Sequence, residues 1–233
     1  MAEELDSMEI LHNDFINNFS HEFKTPIVSI RGFAKLLREQ NLTPEEQEEY
    51  LNIIIAESER LSTLSTNILN LSKLEKQTSL TERENFHLTE QIRLVVSLLA
   101  PKWSEKNLEL SLDSDEIFLT GNEELLKQVW INLLDNAIKF SPEGGFIRIH
   151  ASSTRQSCSI FFTNILEQRN LSKNFCSHIF TKFYQEDSSH STKGNGLGLT
   201  IANRIIQLHQ GEITCKINSD QTISFCVTLP LMS

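Results

Sequence analysis

The chain has 233 residues, 39% of them hydrophobic, which is enough for one large core or two modest ones, and its formal net charge of −10 argues against nucleic acid, whose phosphates demand a basic surface. Cys158, Cys176, Cys215 and Cys226 form no Cys-x-x-Cys pair and no Cys/His cluster at zinc spacing, so they read as buried reduced thiols of a cytosolic protein, with no disulfide framework implied. No run of about 18 apolar residues spans a bilayer, and no charged-then-apolar leader marks secretion.

In chain order, the first element is a helix from about Ser7 to Gln40, with Phe15, Phe19, Phe23, Ile27, Ile30 and Phe33 at three- and four-residue intervals. Pro26 lies inside that pattern, removes a backbone donor and is expected to bend the helix. A second helix opens at Thr43-Pro44-Glu45-Glu46, where Thr43 can cap, Pro44 suits the first helical position and the acids suit the positive helix end. It continues through Tyr50, Ile54, Glu57, Leu61, Leu64, Ile68 and Leu71, a spacing that turns one seam toward a partner helix. The short Gln40-Asn41-Leu42 link makes the two an antiparallel hairpin. One hairpin buries little, so two closing into a four-helix bundle is the expected solution, and a homodimer is its consequence. The alternative is a monomer whose second domain covers the stripe.

Polar residues without an apolar period, Lys76 to Glu84, separate this hairpin from the remainder of the chain. The expected division is a helical hairpin over 1–76, a linker over 77–85 and a second domain over 86–233. That domain alternates: a strand Asn85–Leu88, a helix from about Thr89 to Lys106, strands near Leu108–Leu112 and Ile117–Thr120, and a helix Glu123–Phe140. Strands Phe146–Ala151 and Cys158–Thr163, an irregular stretch from about Ile165 to Lys193, a helix Gly198–His209 and strands Glu212–Ile217 and Thr222–Leu229 complete it. The pattern predicts an α/β sandwich, a mixed sheet with helices on one face.

Three motifs carry chemistry. His21-Glu22-Phe23-Lys24-Thr25-Pro26 sits on the first helix; a zinc-protease reading fails because Thr25 stands where a second histidine ligand belongs. Asn132, Asn136 and Lys139 recur at four- and three-residue steps, so their polar ends share one helix face. Gly194-Asn195-Gly196-Leu197-Gly198-Leu199 opens a helix, and its glycines let backbone amides approach phosphate at an anion-favouring helix end. It is not a dinucleotide fingerprint, because no strand precedes it.

Taken together and in this order, these motifs resemble the cytoplasmic core of a bacterial sensor histidine kinase over nearly all of the chain, from about Asn13 to Pro230. Such a core joins a dimerisation and histidine-phosphotransfer hairpin to a catalytic domain of the ATPase superfamily that includes gyrase. The resemblance implies that His21 accepts the γ-phosphoryl group of ATP, that Glu22 orients the ring and takes up its proton, and that Thr25 orients water for phosphatase activity. It further implies that Asn136, supported by Asn132, holds Mg²⁺, that Lys139 contacts phosphate and that Phe140 borders adenine. Remaining nucleotide contacts fall to Lys182, Tyr184, Gly194, Gly196, Leu197, Gly198 and Leu199, with residues from about Ile165 to Lys193 as the ATP lid. Phe180 and Phe183 match an aromatic pair at the lid's base and read as packing.

The chain departs from the family's Asp-x-Gly-x-Gly segment. Asn164 stands in the acid's place, with Leu166 and Gln168 where glycines are expected, as in some Gram-positive kinases. An amide oxygen still accepts a hydrogen bond but gives up about 1 kcal/mol relative to a charged acceptor, which predicts weaker ATP binding. Gln185 also replaces a common arginine, a charge that Lys182 or Lys193 could supply. The resemblance implies transfer from His21 to an aspartate of a response regulator, and a membrane sensor upstream of this chain. The competing readings are a pseudokinase acting as scaffold or phosphatase with a weak or empty nucleotide site, and a gyrase-type ATPase that uses no phosphohistidine.

Overall fold

The computed structural model describes residues 2–39, 42–80, 82–166, 172, 174–185 and 195–231, with side chains in the first helix from residue 16 onward except residue 18. The chain divides into two compact units, Met1–Asn70 and Leu71–Ser233.

The first unit is built from α1 (Ala2–Leu36) and most of α2 (Pro44–Lys76). Thr43 and Glu46 form a reciprocal capping box at the start of α2: the Glu46 amide donates to Thr43 Oγ1 at 3.2 Å, and the Thr43 amide donates to the Glu46 carboxylate at 2.8 Å. The hairpin is antiparallel, since Phe33 meets Tyr50 with ring centroids 5.3 Å apart while Glu22 meets Arg60. Helix α1 runs unbroken through Pro26, which is buried.

The second unit contains β1 (Glu84–His87), α3 (Leu88–Leu98), α4 (Ala100–Glu105), β2 (Glu109–Ser114), β3 (Phe118–Gly121), α5 (Glu123–Phe140), β4 (Phe146–Ser153), β5 (Ser157–Ile165), α6 (Phe175–His178), α7 (Gly198–Leu208), β6 (Glu212–Ile217) and β7 (Thr222–Pro230). Five strands form a mixed sheet in the order β2-β4-β5-β7-β6, with only the β2–β4 pair parallel. Strands β4, β5 and β7 alternate buried and part-exposed residues, and Ile149, Ile160, Phe162, Phe225 and Val227 supply one inward face, on which α5 and α7 pack. The helical hairpin and α/β sandwich expected from the sequence are both present.

Two local expectations are corrected. The helix foreseen over Thr89–Lys106 is two helices, because Pro101 occupies the first turn of α4 and Leu99 serves as the C-cap of α3 and the N-cap of α4. The strand near Asn85 does not join the main sheet. It pairs antiparallel with β3 in a separate two-stranded ribbon.

Candidate functional site

On α1, His21 is exposed and Glu22 is buried. Arg60 Nη2 on α2 donates to Glu22 Oε2 at 3.2 Å, and Glu57 Oε2 lies 4.0 Å from the same guanidinium. Arg60 therefore stands between two carboxylates, neutralising charge that would otherwise be stranded in a part-buried seam. Sequence reasoning did not single out Arg60; the one available signal was a cation three residues after Glu57 in an otherwise apolar seam. Thr25 is exposed one turn beyond His21, and its hydroxyl donates to the His21 carbonyl at 3.2 Å.

Helix α5 presents the second group. Asn122 caps it, accepting from the Leu125 amide at 2.9 Å. At the other end Lys106 Nζ donates to the carbonyls of Ile138, Lys139 and Ser141 at 3.0, 2.9 and 2.8 Å, closing the helix just before Pro142. Leu126, Val129, Trp130, Leu133, Leu134, Ala137 and Ile138 face the core, which leaves Asn132, Asn136 and Lys139 on the part-exposed side. The Lys139 ammonium sits over the Phe140 ring, 4.4 Å from its centroid.

The glycine-rich turn meets this face. A Cβ on Gly198 would lie 3.5 Å from Asn132 Oδ1, so the N-terminus of α7 abuts the Asn132 amide. Asn132 Nδ2 is buried with no hydrogen-bond partner among the described residues. Gly196 has φ of +64° and Phe183 φ of +60°. The Phe183 amide donates to the Gly196 carbonyl at 3.0 Å, and a Cβ on Gly196 would come within 2.6 Å of the Phe183 backbone, so no other residue fits there without displacing the chain. Leu197 and Leu199 are buried, and the Thr200 hydroxyl donates to the Phe180 carbonyl at 3.1 Å. Phe180 and Phe183 both take part in packing: Phe183 is buried, and Phe180 meets Phe225 edge-on. Gly194, Gln168 and Lys193 lie outside the described residues.

Asn164 ends the inward-facing series Cys158, Ile160, Phe162, Asn164 on β5. It is 1% exposed; its Nδ2 donates to the Ile165 carbonyl at 2.8 Å, while Oδ1 is a buried acceptor with no partner among the described residues. Its register neighbours Ile147 and Ile223 are buried too, so the free oxygen has apolar walls. Strand β5 continues to Ile165, and the Leu166 amide bonds the Gln221 carbonyl at 3.0 Å, so the chain at the expected first glycine stays extended along β7 and needs no positive φ. Lys182 forms an ion pair with Glu75 at 2.5 Å, and Tyr184 lies in a ring cluster with Phe175 and His178.

Among the described residues no three His, Cys, Asp or Glu side chains converge. A cation on this face would rely on amide oxygens and on the oxygens of a bound phosphate chain, which suits Mg²⁺, a hard ion content with few protein ligands. The unpartnered Asn132 Nδ2 donor and Asn164 Oδ1 acceptor, and the close approach that Gly198 permits, fit a Mg–nucleotide: an anion at the α7 N-terminus and a hydrogen-bonding base edge at β5.

Two family profiles match the chain: the His Kinase A (phospho-acceptor) domain over residues 11–77, and the Histidine kinase-, DNA gyrase B-, and HSP90-like ATPase over residues 121–233. The heme sensor protein HssS of Staphylococcus epidermidis is 33% identical over 231 residues, 98% of this chain and 49% of that protein. HssS of Staphylococcus aureus strain Newman is 32% identical over 232 residues, again 49% of its length, so the chain spans about half of these relatives. The crystal structure of histidine kinase ThkA in complex with the response regulator protein TrrA aligns with a TM-score of 0.79 and 26% identity, covering 97% of this chain and 64% of that one. Acinetobacter baumannii histidine kinase AdeS shares the fold, with a TM-score of 0.72, 21% identity, and coverage of 91% of this chain and 98% of its own.

Proposed function

The chain belongs to the histidine kinases, as a phospho-acceptor hairpin joined to the matching ATPase domain, and on that premise we propose that it phosphorylates His21 from Mg-ATP and passes the phosphoryl group to an aspartate of a response regulator. The observation that carries the proposal is that one chain holds both an exposed His21 on α1 and, within the second unit, an α5 side bearing Asn132, Asn136 and Lys139, with Asn132 against the Gly198 turn, and a buried acceptor at Asn164. In the forward step a lone pair on the neutral His21 ring forms an N–P bond as the bond from the γ-phosphorus to the ADP oxygen breaks, and the ring releases one proton. We assign uptake of that proton to Glu22, whose carboxylate Arg60 holds. Asn136, supported by Asn132, would hold Mg²⁺, which would supply charge neutralisation at the phosphates. Lys139 attracts the phosphate chain, Asn164 Oδ1 accepts from the adenine amino group, and the Gly196–Gly198 backbone admits the phosphates to the start of α7. We assign Thr25 to orienting water in the reverse, phosphatase direction. The partners are a second copy of the chain and the regulator, and the reading extends to a membrane sensor joined upstream.

The test is incubation with γ-labelled ATP and Mg²⁺ beside a His21→Ala variant. Acid-labile, base-stable label on the unsubstituted protein alone is the expected result. No label at millimolar ATP on a folded chain would favour the pseudokinase reading, and hydrolysis that survives His21→Ala would favour a gyrase-type ATPase.

A further inference from the structure

Two cysteines distant in sequence meet in the second unit. Cys176 is the second residue of α6 and Cys215 the fourth of β6, and their sulfurs are 3.0 Å apart. Strand β6 is an edge strand, paired only with β7, and α6 packs against it. Both thiols are part-buried. The other two cysteines are not placed to compete. Cys226 is next to β6 in the sheet, but it pairs in register with Thr214, whereas Cys215 is opposite Phe225, so strand alternation sends Cys226 to the other face. Cys158 is fully buried on β5, where burial pushes its thiol up to about 11.

We propose that Cys176 and Cys215 form a peroxide-oxidisable dithiol that closes to a reversible disulfide, fastening α6 to the sheet edge. Hydrogen peroxide oxidises one sulfur to a sulfenic acid with loss of one water; the second thiol then attacks that sulfur, the S–S bond forms, and the hydroxyl leaves with the thiol proton as a second water. Two thiols and one peroxide thus give one disulfide and two waters. Either sulfur can be the one oxidised first, because the two are within contact of each other and the product is the same. The sulfurs must close by about 1 Å to reach the covalent separation of about 2.05 Å. A four-residue helix flanked by turns has the freedom for that shift. A structural metal is a poorer occupant, because among the described residues no third His, Cys, Asp or Glu joins the pair.

The test treats the whole chain with equimolar hydrogen peroxide, alkylates the remaining thiols after denaturation and maps non-reduced peptides by mass. The expected product is a 176–215 linked peptide, with alkylatable thiols falling from four to two, the four cysteines less the joined pair, and returning to four with dithiothreitol. Mixing isotopically heavy and light chains shows whether the link lies within one chain, the expected outcome, or between copies, which overturns the proposal. Cys176→Ser and Cys215→Ser are each expected to abolish the link, and Cys226→Ser to leave it intact. Should serine at position 215 unfold the chain, the map of the unsubstituted protein still decides. Four free thiols after peroxide, or a link between other cysteines, overturns the assignment. No readout uses nucleotide, so the result stands apart from the kinase reading.

Discussion

At Asn164 an apolar strand delivers one polar acceptor into the core and leaves it unsatisfied, an arrangement that destabilises the empty protein and rewards a ligand donor. Replacing Asn164 by Ala is expected to weaken ATP binding about fivefold, the worth of one neutral hydrogen bond of about 1 kcal/mol. Asn164→Asp is expected to strengthen it by about five- to tenfold through a charged acceptor. Isothermal titration with a non-hydrolysable ATP analogue checks both, and equal affinities across the series would remove Asn164 from adenine recognition. Glu22 shows what sequence reading leaves out at this scale. Its neighbour His21 was legible from the motif, but its ion-pair partner Arg60 lies 38 residues away, and no local pattern joins the two.

Helix α5 is held at both ends by residues of neighbouring segments. His209 donates its Nδ1 proton to the Ile205 carbonyl at 2.8 Å and accepts at Nε2 from the Asn122 amide at 3.1 Å, bracing the α5 N-cap. Burial lowers its affinity for a proton, and the positive charge of Arg83 adds to this. The unfolded chain binds that proton near pH 6.5 while the folded chain resists it, so stability is full above about 6.5, declines as pH falls toward the depressed folded value, and is level below it. A His209→Gln variant is expected to flatten that slope in urea unfolding between pH 5 and pH 7.5. At the other end, Lys106→Met leaves three carbonyls without their ammonium donor and is expected to cost about 1–2 kcal/mol, read as a lower urea midpoint. The bounds of α5 were readable in advance because Asn122 caps its start and Ser141-Pro142 stops it. The break at Leu99 was missed because the apolar period continues past Pro101, which suits the first turn of a new helix as well as it ends an old one. Pairing of β1 with β3 was not readable, since register across an intervening helix leaves no local signal.

At the scale of the molecule, the hairpin leaves Ile27, Leu51, Ile55 and Leu69 half or more exposed, an apolar surface that favours a second copy as its cover. Light scattering is expected to give twice the chain mass of 26.7 kDa. The double variant Leu51→Glu, Ile55→Glu, at positions already open to water, is expected to give the single mass with its fold intact by circular dichroism. A wild-type monomer at micromolar concentration would refute the dimer. The two left-handed residues Phe183 and Gly196, locked backbone to backbone, have a different consequence. Because that lock is made by main-chain atoms, it does not depend on the Phe183 ring: Phe183→Gly or Phe183→Asn, residues at ease at positive φ, keeps the turn while emptying the aromatic packing, so the two duties of that position can be separated by substitution.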